Sequence, residues 1–82
     1  MYFVYVLYSR LYDRIYIGMT QNIFHRLDEH NAGQNKSTKA FVPWEMVHFE
    51  NLETRMLARE KEIKLKSSSG RRFIRKNYLT IT

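Results

Sequence analysis

Two apolar runs near the start of the chain, "YFVYVLYS" and "IYIG", stand only a short polar stretch apart, and this spacing limits every fold available to the rest. Tyrosine, valine, isoleucine and phenylalanine dominate both, as in strands. The connection "SRLYDR" is too short for a crossover helix, so the two strands form an antiparallel hairpin. The first run is apolar at odd and even positions alike, so both of its faces are covered by other elements. At 82 residues, the chain has material for one domain, positions 1–82, with a modest core.

Gly18 ends the second strand where a side chain would be unwelcome. Thr20 or Asn22 then caps a helix over about Ile23 to Asn31. The polar stretch "NAGQNKSTKAFVP" leads to a third strand in "WEMVHFENL", where Val47 and Phe49 alternate with Met46, His48 and Glu50. A second helix runs from Glu53 or Thr54 to Lys66, "SSSG" breaks it, and "RRFIRKNYL" forms a short last helix. The order β-β-α-β-α-α predicts an α+β domain, a small three-stranded, mostly antiparallel sheet flanked by about three helices.

With no cysteine, a disulfide framework, a thiolate zinc site and a cysteine nucleophile are excluded. The first apolar run is too short to span a bilayer and lacks the flanks of a signal peptide, so the expectation is a cytoplasmic protein with no membrane partner. Charge is lopsided. Residues 1–54 hold five Lys/Arg against six Asp/Glu, a net of −1, and residues 55–82 hold nine against two, a net of +7. Such a basic third is either a solvated surface or a face for a polyanion. On the second reading Arg55, Arg59, Lys66, Arg71, Arg72, Arg75 and Lys76 contact phosphates.

At about 100° per residue, Ile23, Phe24 and Leu27 form the buried stripe of the first helix. Arg26 and His30, four residues apart, stack along its edge, where they reach a groove rim or serve as a packed stem and a helix-end cation. In the second helix Met56, Leu57 and Ile63 define the apolar face, with Glu60 among them, Lys64 beside it and Glu62 pointing away. A carboxylate in such a place calls for a cation, either an internal partner such as Arg26 or Lys64, or a divalent ion completed by water and phosphate. Tyr5 and Tyr16 lie on adjacent strands; they share a face if paired positions sum to about 21 and are split if they sum to 22.

These residues resemble the GIY-YIG nuclease superfamily, especially its small stand-alone group of predicted endonucleases, over nearly the whole chain. "YIG" stands intact at Tyr16-Ile17-Gly18, and the first half-motif appears as Val4-Tyr5-Val6. Arg26 follows Gly18 by eight residues and His30 by four more, and "AREKEIK" carries Glu60. "LKSSSGRRFIRK" is similar to the tail of the stand-alone group. The resemblance implies hydrolysis of a phosphodiester bond in DNA, RNA not being excluded, with one Mg²⁺ or Mn²⁺ ion. It implies that Glu60 binds the metal and that Arg26 stabilises charge on the scissile phosphate. It also implies that Tyr5 helps deprotonate the attacking water, with Tyr16 and His30 beside it. A phenol has an unperturbed pKa of about 10. At neutral pH, then, either cationic charge from Arg26 or the metal favours the phenolate, or the proton passes to His30. Two features depart from the family pattern. Some members carry an asparagine about a dozen positions after the glutamate, where this chain has "SSSGRR" and, further on, Asn77; some carry a lysine after the glycine, where it has Met19-Thr20. Without a base-reading module, low sequence specificity is expected, as in repair or recombination. The other reading is a non-catalytic nucleic-acid-binding or protein-interaction module on the same scaffold.

Overall fold

The hairpin is the centre of the molecule. In the computed structural model, which describes residues 1–79, it is formed by β1 (Tyr2–Ser9) and β2 (Arg14–Thr20). Its turn is held by Asp13, which sits at a φ of 53° and accepts a hydrogen bond from the Tyr8 hydroxyl at 2.7 Å. Then come α1 (Ile23–Asn31), a 3₁₀ turn at Lys39–Phe41, β3 (Glu45–Leu52), α2 (Arg55–Lys66) and α3 (Ser68–Asn77). The sheet is antiparallel throughout, in the order β2-β1-β3, so the most apolar strand is the central one, as its two-sided pattern requires.

The register pairs Tyr5 with Gly18 and Leu7 with Tyr16, so paired positions sum to 23. That sum is odd, and Tyr5 and Tyr16 therefore lie on one face as diagonal neighbours. β3 pairs Val6 with His48 but Leu7 with Met46, which leaves Val47 as the extra residue of a bulge.

Each sheet face has its own core. Val4, Val6 and Ile17 pack against Ala58, Leu65 and Ile74 of α2 and α3. Tyr5, Leu7 and Tyr16 pack on the other face with Ile23 and Leu27 of α1 and with Phe41, Trp44 and Met46. A cis Val42–Pro43 peptide precedes Trp44. Two clasps seat the long loop: Asn31 exchanges hydrogen bonds with the Trp44 backbone at 2.6 and 3.0 Å, and the Trp44 indole N–H donates to the Thr38 carbonyl at 2.9 Å.

Two helix faces differ from the sequence-based expectation. In α1, Phe24 is 86% exposed, and the inward stripe is Ile23, Leu27 and His30. In α2, Met56, Leu57 and Ile63 are exposed, and Ala58 and Leu65 face the sheet. Glu60 is exposed and lies about 150° round the helix from that stripe, so it needs no buried cation. The half-buried charges are instead Lys61, paired with Glu50 at 3.3 Å, and Glu62, paired with Lys66 at 3.3 Å. Ala58 is fully buried on the face toward the sheet, in the cluster with Val4, Val6 and Ile17.

The α2–α3 junction is tighter than "SSSG" implies. Ser67 ends α2 and caps α3, its hydroxyl accepting from the Gly70 N–H at 3.1 Å. Gly70 lies inside α3, where a Cβ would collide with the carbonyl oxygens of Lys64 and Leu65.

Candidate active site

β1 and β2 place two phenols on the α1 side of the sheet, and the inward face of α1 adds Arg26 and His30. The Tyr5 ring lies across Gly18, and a Cβ at that glycine would fall 2.5 Å from the Tyr5 hydroxyl. The glycine is what lets this phenol lie flat along the strand pair. Arg26 Nε donates to the Tyr5 oxygen at 3.0 Å. Because a guanidinium can only donate, the phenolic hydrogen is left for His30 Nε2, 3.0 Å away. Tyr16 completes the group, its ring centroid 6.3 Å from that of Tyr5 and 4.9 Å from the His30 imidazole.

His30 is fully buried, so it is not a helix-end cation in solvent. Burial and then the nearby Arg26 charge hold its pKa below the usual histidine range, with Glu29 acting weakly in the other direction. It is neutral at pH 7 and free to accept a proton. Its Nδ1 lies 2.8 Å from the Thr38 hydroxyl. The Tyr5 pKa is raised, because burial outweighs the lowering by Arg26. The phenol is therefore protonated in the resting site. Arg26 stays charged, favoured first by its bond to Tyr5, and it also donates from Nη1 to Glu29 at 3.1 Å.

Tyr5, Tyr16, Arg26 and His30 thus come together. Glu60 stands exposed on α2, whose Ala58 and Leu65 pack against the other face of the sheet. Among the described residues the Glu60 side chain makes no ion pair or hydrogen bond, and no cluster of three or more His, Cys, Asp or Glu residues is present to hold a metal. The basic residues of the last third sit on the α2–α3 layer as well. Of these, Lys66 pairs with Glu62 and Arg75 pairs with Asp13 at 2.9 Å, whereas Arg55, Arg59, Arg71 and Arg72 make no ion pair with described residues. Arg55 borders a pocket with Tyr2, Met19, Thr20 and Gln21 at the end of β2. Asn77 bonds within its own helix, donating to the Phe73 carbonyl at 2.9 Å.

Glu29 and Thr38 escaped the sequence reading. Glu29 had a detectable signal, standing three residues from Arg26 on one helix. Thr38 lies in a loop without periodicity, and nothing in its spacing marks it as a partner of His30.

The site is thus a buried tyrosine–histidine pair beside a fixed guanidinium, on an α+β sheet. A family model described as the GIY-YIG catalytic domain matches residues 1–77, and the chain belongs to that family. A UPF0213 protein of Natronomonas pharaonis is 38% identical over 69 residues, covering 83% of this chain and 80% of its own. One from Haloquadratum walsbyi is 39% identical over 56 residues, covering 67% and 63%, and one from Pediococcus pentosaceus is 35% identical over 72 residues, covering 83% and 76%. These relatives form the small stand-alone GIY-YIG group. No solved structure matches the chain. No helix among the described residues is long and apolar enough to cross a membrane.

Proposed function

We propose that the protein is a metal-dependent endonuclease that hydrolyses phosphodiester bonds in DNA with little sequence specificity, in repair or recombination. The observation that carries this reading is the bond from the Tyr5 hydroxyl to a neutral, buried His30. Water loses a proton to the Tyr5 oxygen as Tyr5 passes its own to His30 Nε2. The water oxygen then bonds to phosphorus as the ester P–O bond breaks, and the leaving oxygen departs with the bonding pair and takes a proton from solvent. The buried phenol does not need to be ionised beforehand, because the imidazole takes the charge-creating proton. Arg26 spends Nε on Tyr5 and one Nη1 hydrogen on Glu29, which leaves Nη2 to bind a non-bridging phosphate oxygen as charge builds there. The Tyr16 hydroxyl has no partner among the described residues and is available to the substrate or the attacking water.

Glu60 is the carboxylate we assign to the metal. Its donor chemistry fits Mg²⁺, which commonly takes one carboxylate and completes its shell with water and phosphate oxygens, and Glu60 is not neutralised by any described residue. When bound, such an ion supplies positive charge to the phosphate. Arg55, Arg59, Arg71 and Arg72 are the leading phosphate contacts, with Lys66, Arg75 and Lys76 behind them because each already has an interaction within the chain. DNA is the first partner on this reading and RNA the second.

One observation favours a non-catalytic nucleic-acid-binding module instead. The basic helices α2 and α3 pack against the sheet face opposite the Tyr5 cluster. Plasmid nicking with Mg²⁺ and with Mn²⁺ decides the matter, using the wild type, Arg26→Ala, Glu60→Gln and Glu29→Gln, with binding measured alongside. The nuclease reading predicts wild-type nicking that Arg26→Ala and Glu60→Gln abolish while binding persists. Binding without nicking in the wild type supports the module. Loss on Glu29→Gln but not on Glu60→Gln moves the metal to the Arg26 side of the sheet.

A further inference from the structure

We infer that Thr38 is a positioning residue that holds His30 in the one tautomer able to take the Tyr5 proton; this deepens the proposed nuclease reading and rests on it. The argument is one of hydrogen-bond polarity. The Thr38 hydroxyl has a single hydrogen, and the Asn35 carbonyl 3.4 Å away offers an acceptor for it within the loop. With its hydrogen turned that way, the Thr38 oxygen can accept from Nδ1 at 2.8 Å. A neutral imidazole protonated at Nδ1 presents a lone pair at Nε2. The other end of the chain requires this tautomer, since Arg26 can only donate to the Tyr5 oxygen and the phenolic hydrogen is left for Nε2. The Arg26 end sets the direction and the Thr38 end is able to receive it: guanidinium to phenol, phenol to imidazole, imidazole to threonine, threonine to the Asn35 carbonyl.

The surroundings keep that direction fixed. His30 is faced by Tyr5 and Tyr16 from the strands, by Arg26 and Glu29 from its own helix and by Thr38 from the loop. None of these reaches Nδ1 except Thr38. Thr38 is itself completely buried, and its carbonyl receives the Trp44 indole N–H, so the loop is pinned at this residue. After proton transfer the imidazolium donates from both nitrogens, to the Tyr5 oxygen and to Thr38, and the threonine hydroxyl need not turn. Without the hydroxyl, Nδ1–H would be buried with no acceptor, a costly arrangement. The tautomer would then invert, Nε2 would carry the hydrogen, and the base would be lost.

The test reads the tautomer directly. ¹⁵N NMR of labelled protein, with the His30 signals assigned against His30→Gln, reports which ring nitrogen carries hydrogen in the wild type, Thr38→Ser and Thr38→Val. The inference predicts Nδ1–H in the wild type and in Thr38→Ser, and Nε2–H in Thr38→Val. Nicking should fall by about 100-fold in Thr38→Val, the scale of a lost general base, and return to within a few-fold of wild type in Thr38→Ser. Nε2–H in the wild type overturns the inference, even if Thr38→Val fails to fold. So does a Thr38→Val protein that loses nicking but keeps Nδ1–H, since threonine would then act only through packing. A wild type that nicks no DNA yet shows Nδ1–H supports the tautomer assignment while sinking the nuclease reading, so the two fail separately.

Discussion

The phenol of Tyr5 occupies the space that a side chain at Gly18 would need: the two residues are paired across the hairpin, and a Cβ on the glycine would meet the Tyr5 hydroxyl at 2.5 Å. The ring cannot swing away cheaply, because it is fully buried and bonded to both Arg26 and His30. Gly18→Ala therefore displaces the phenol. It should cost about 1–3 kcal/mol of stability, the range of overpacking in a filled core, and abolish nicking. Urea unfolding measures the first effect. A crystal structure of the variant with Tyr5 still on His30 would contradict the prediction.

His30 ties stability to pH. Its pKa in the folded protein is lowered from 6.5, so the native state resists protonation and the unfolded chain does not. The unfolded state therefore binds more protons between the two values, and stability rises with pH across that interval. The contribution is fully present above about pH 6.5 and is lost as pH falls from there through the folded-state value. Thermal unfolding from pH 7.5 downward should show this loss in the wild type and a smaller one in His30→Gln. Equal slopes in the two proteins would contradict a buried, neutral His30.

Arg71 and Arg72 lie on α3, on the layer away from Tyr5, and neither is held by an ion pair with a described residue. Replacing both with Ala should weaken DNA binding at low salt. It should also reduce the slope of log affinity against log salt by about 0.9 for each phosphate that the protein no longer neutralises. The His30 tautomer should be unchanged, because the sheet separates the two surfaces. An unchanged salt slope would remove these arginines from the interface.

The hairpin and the helix order were legible in the residue pattern, whereas the gathering of Tyr5, Tyr16, Arg26 and His30 was implied only by the family resemblance, because the hairpin register was open. Short connections and two-fold or 3.6-fold periodicity leave few alternatives for such elements. The outward faces were misread where size and polarity compete. Met56, Leu57 and Ile63 carry the greater apolar bulk, yet α2 turns Ala58 and Leu65 inward, and Lys61 and Glu62 flank that stripe because each finds an ion partner. Phe24 likewise yields its place to His30, whose two ring nitrogens both find partners in the interior. The role of Thr38 was not readable because it depends on how the loop folds back, under the control of the Asn31–Trp44 clasp.

The account depends most on the Tyr5 oxygen as the atom that receives a proton from water. Tyr5→Phe removes that oxygen and little else, so nicking of supercoiled plasmid in Mg²⁺, with DNA affinity measured in parallel, tests it directly. The prediction is a fall in nicking of at least about 100-fold with affinity within roughly two-fold of wild type. Nicking by Tyr5→Phe at the wild-type rate would contradict it.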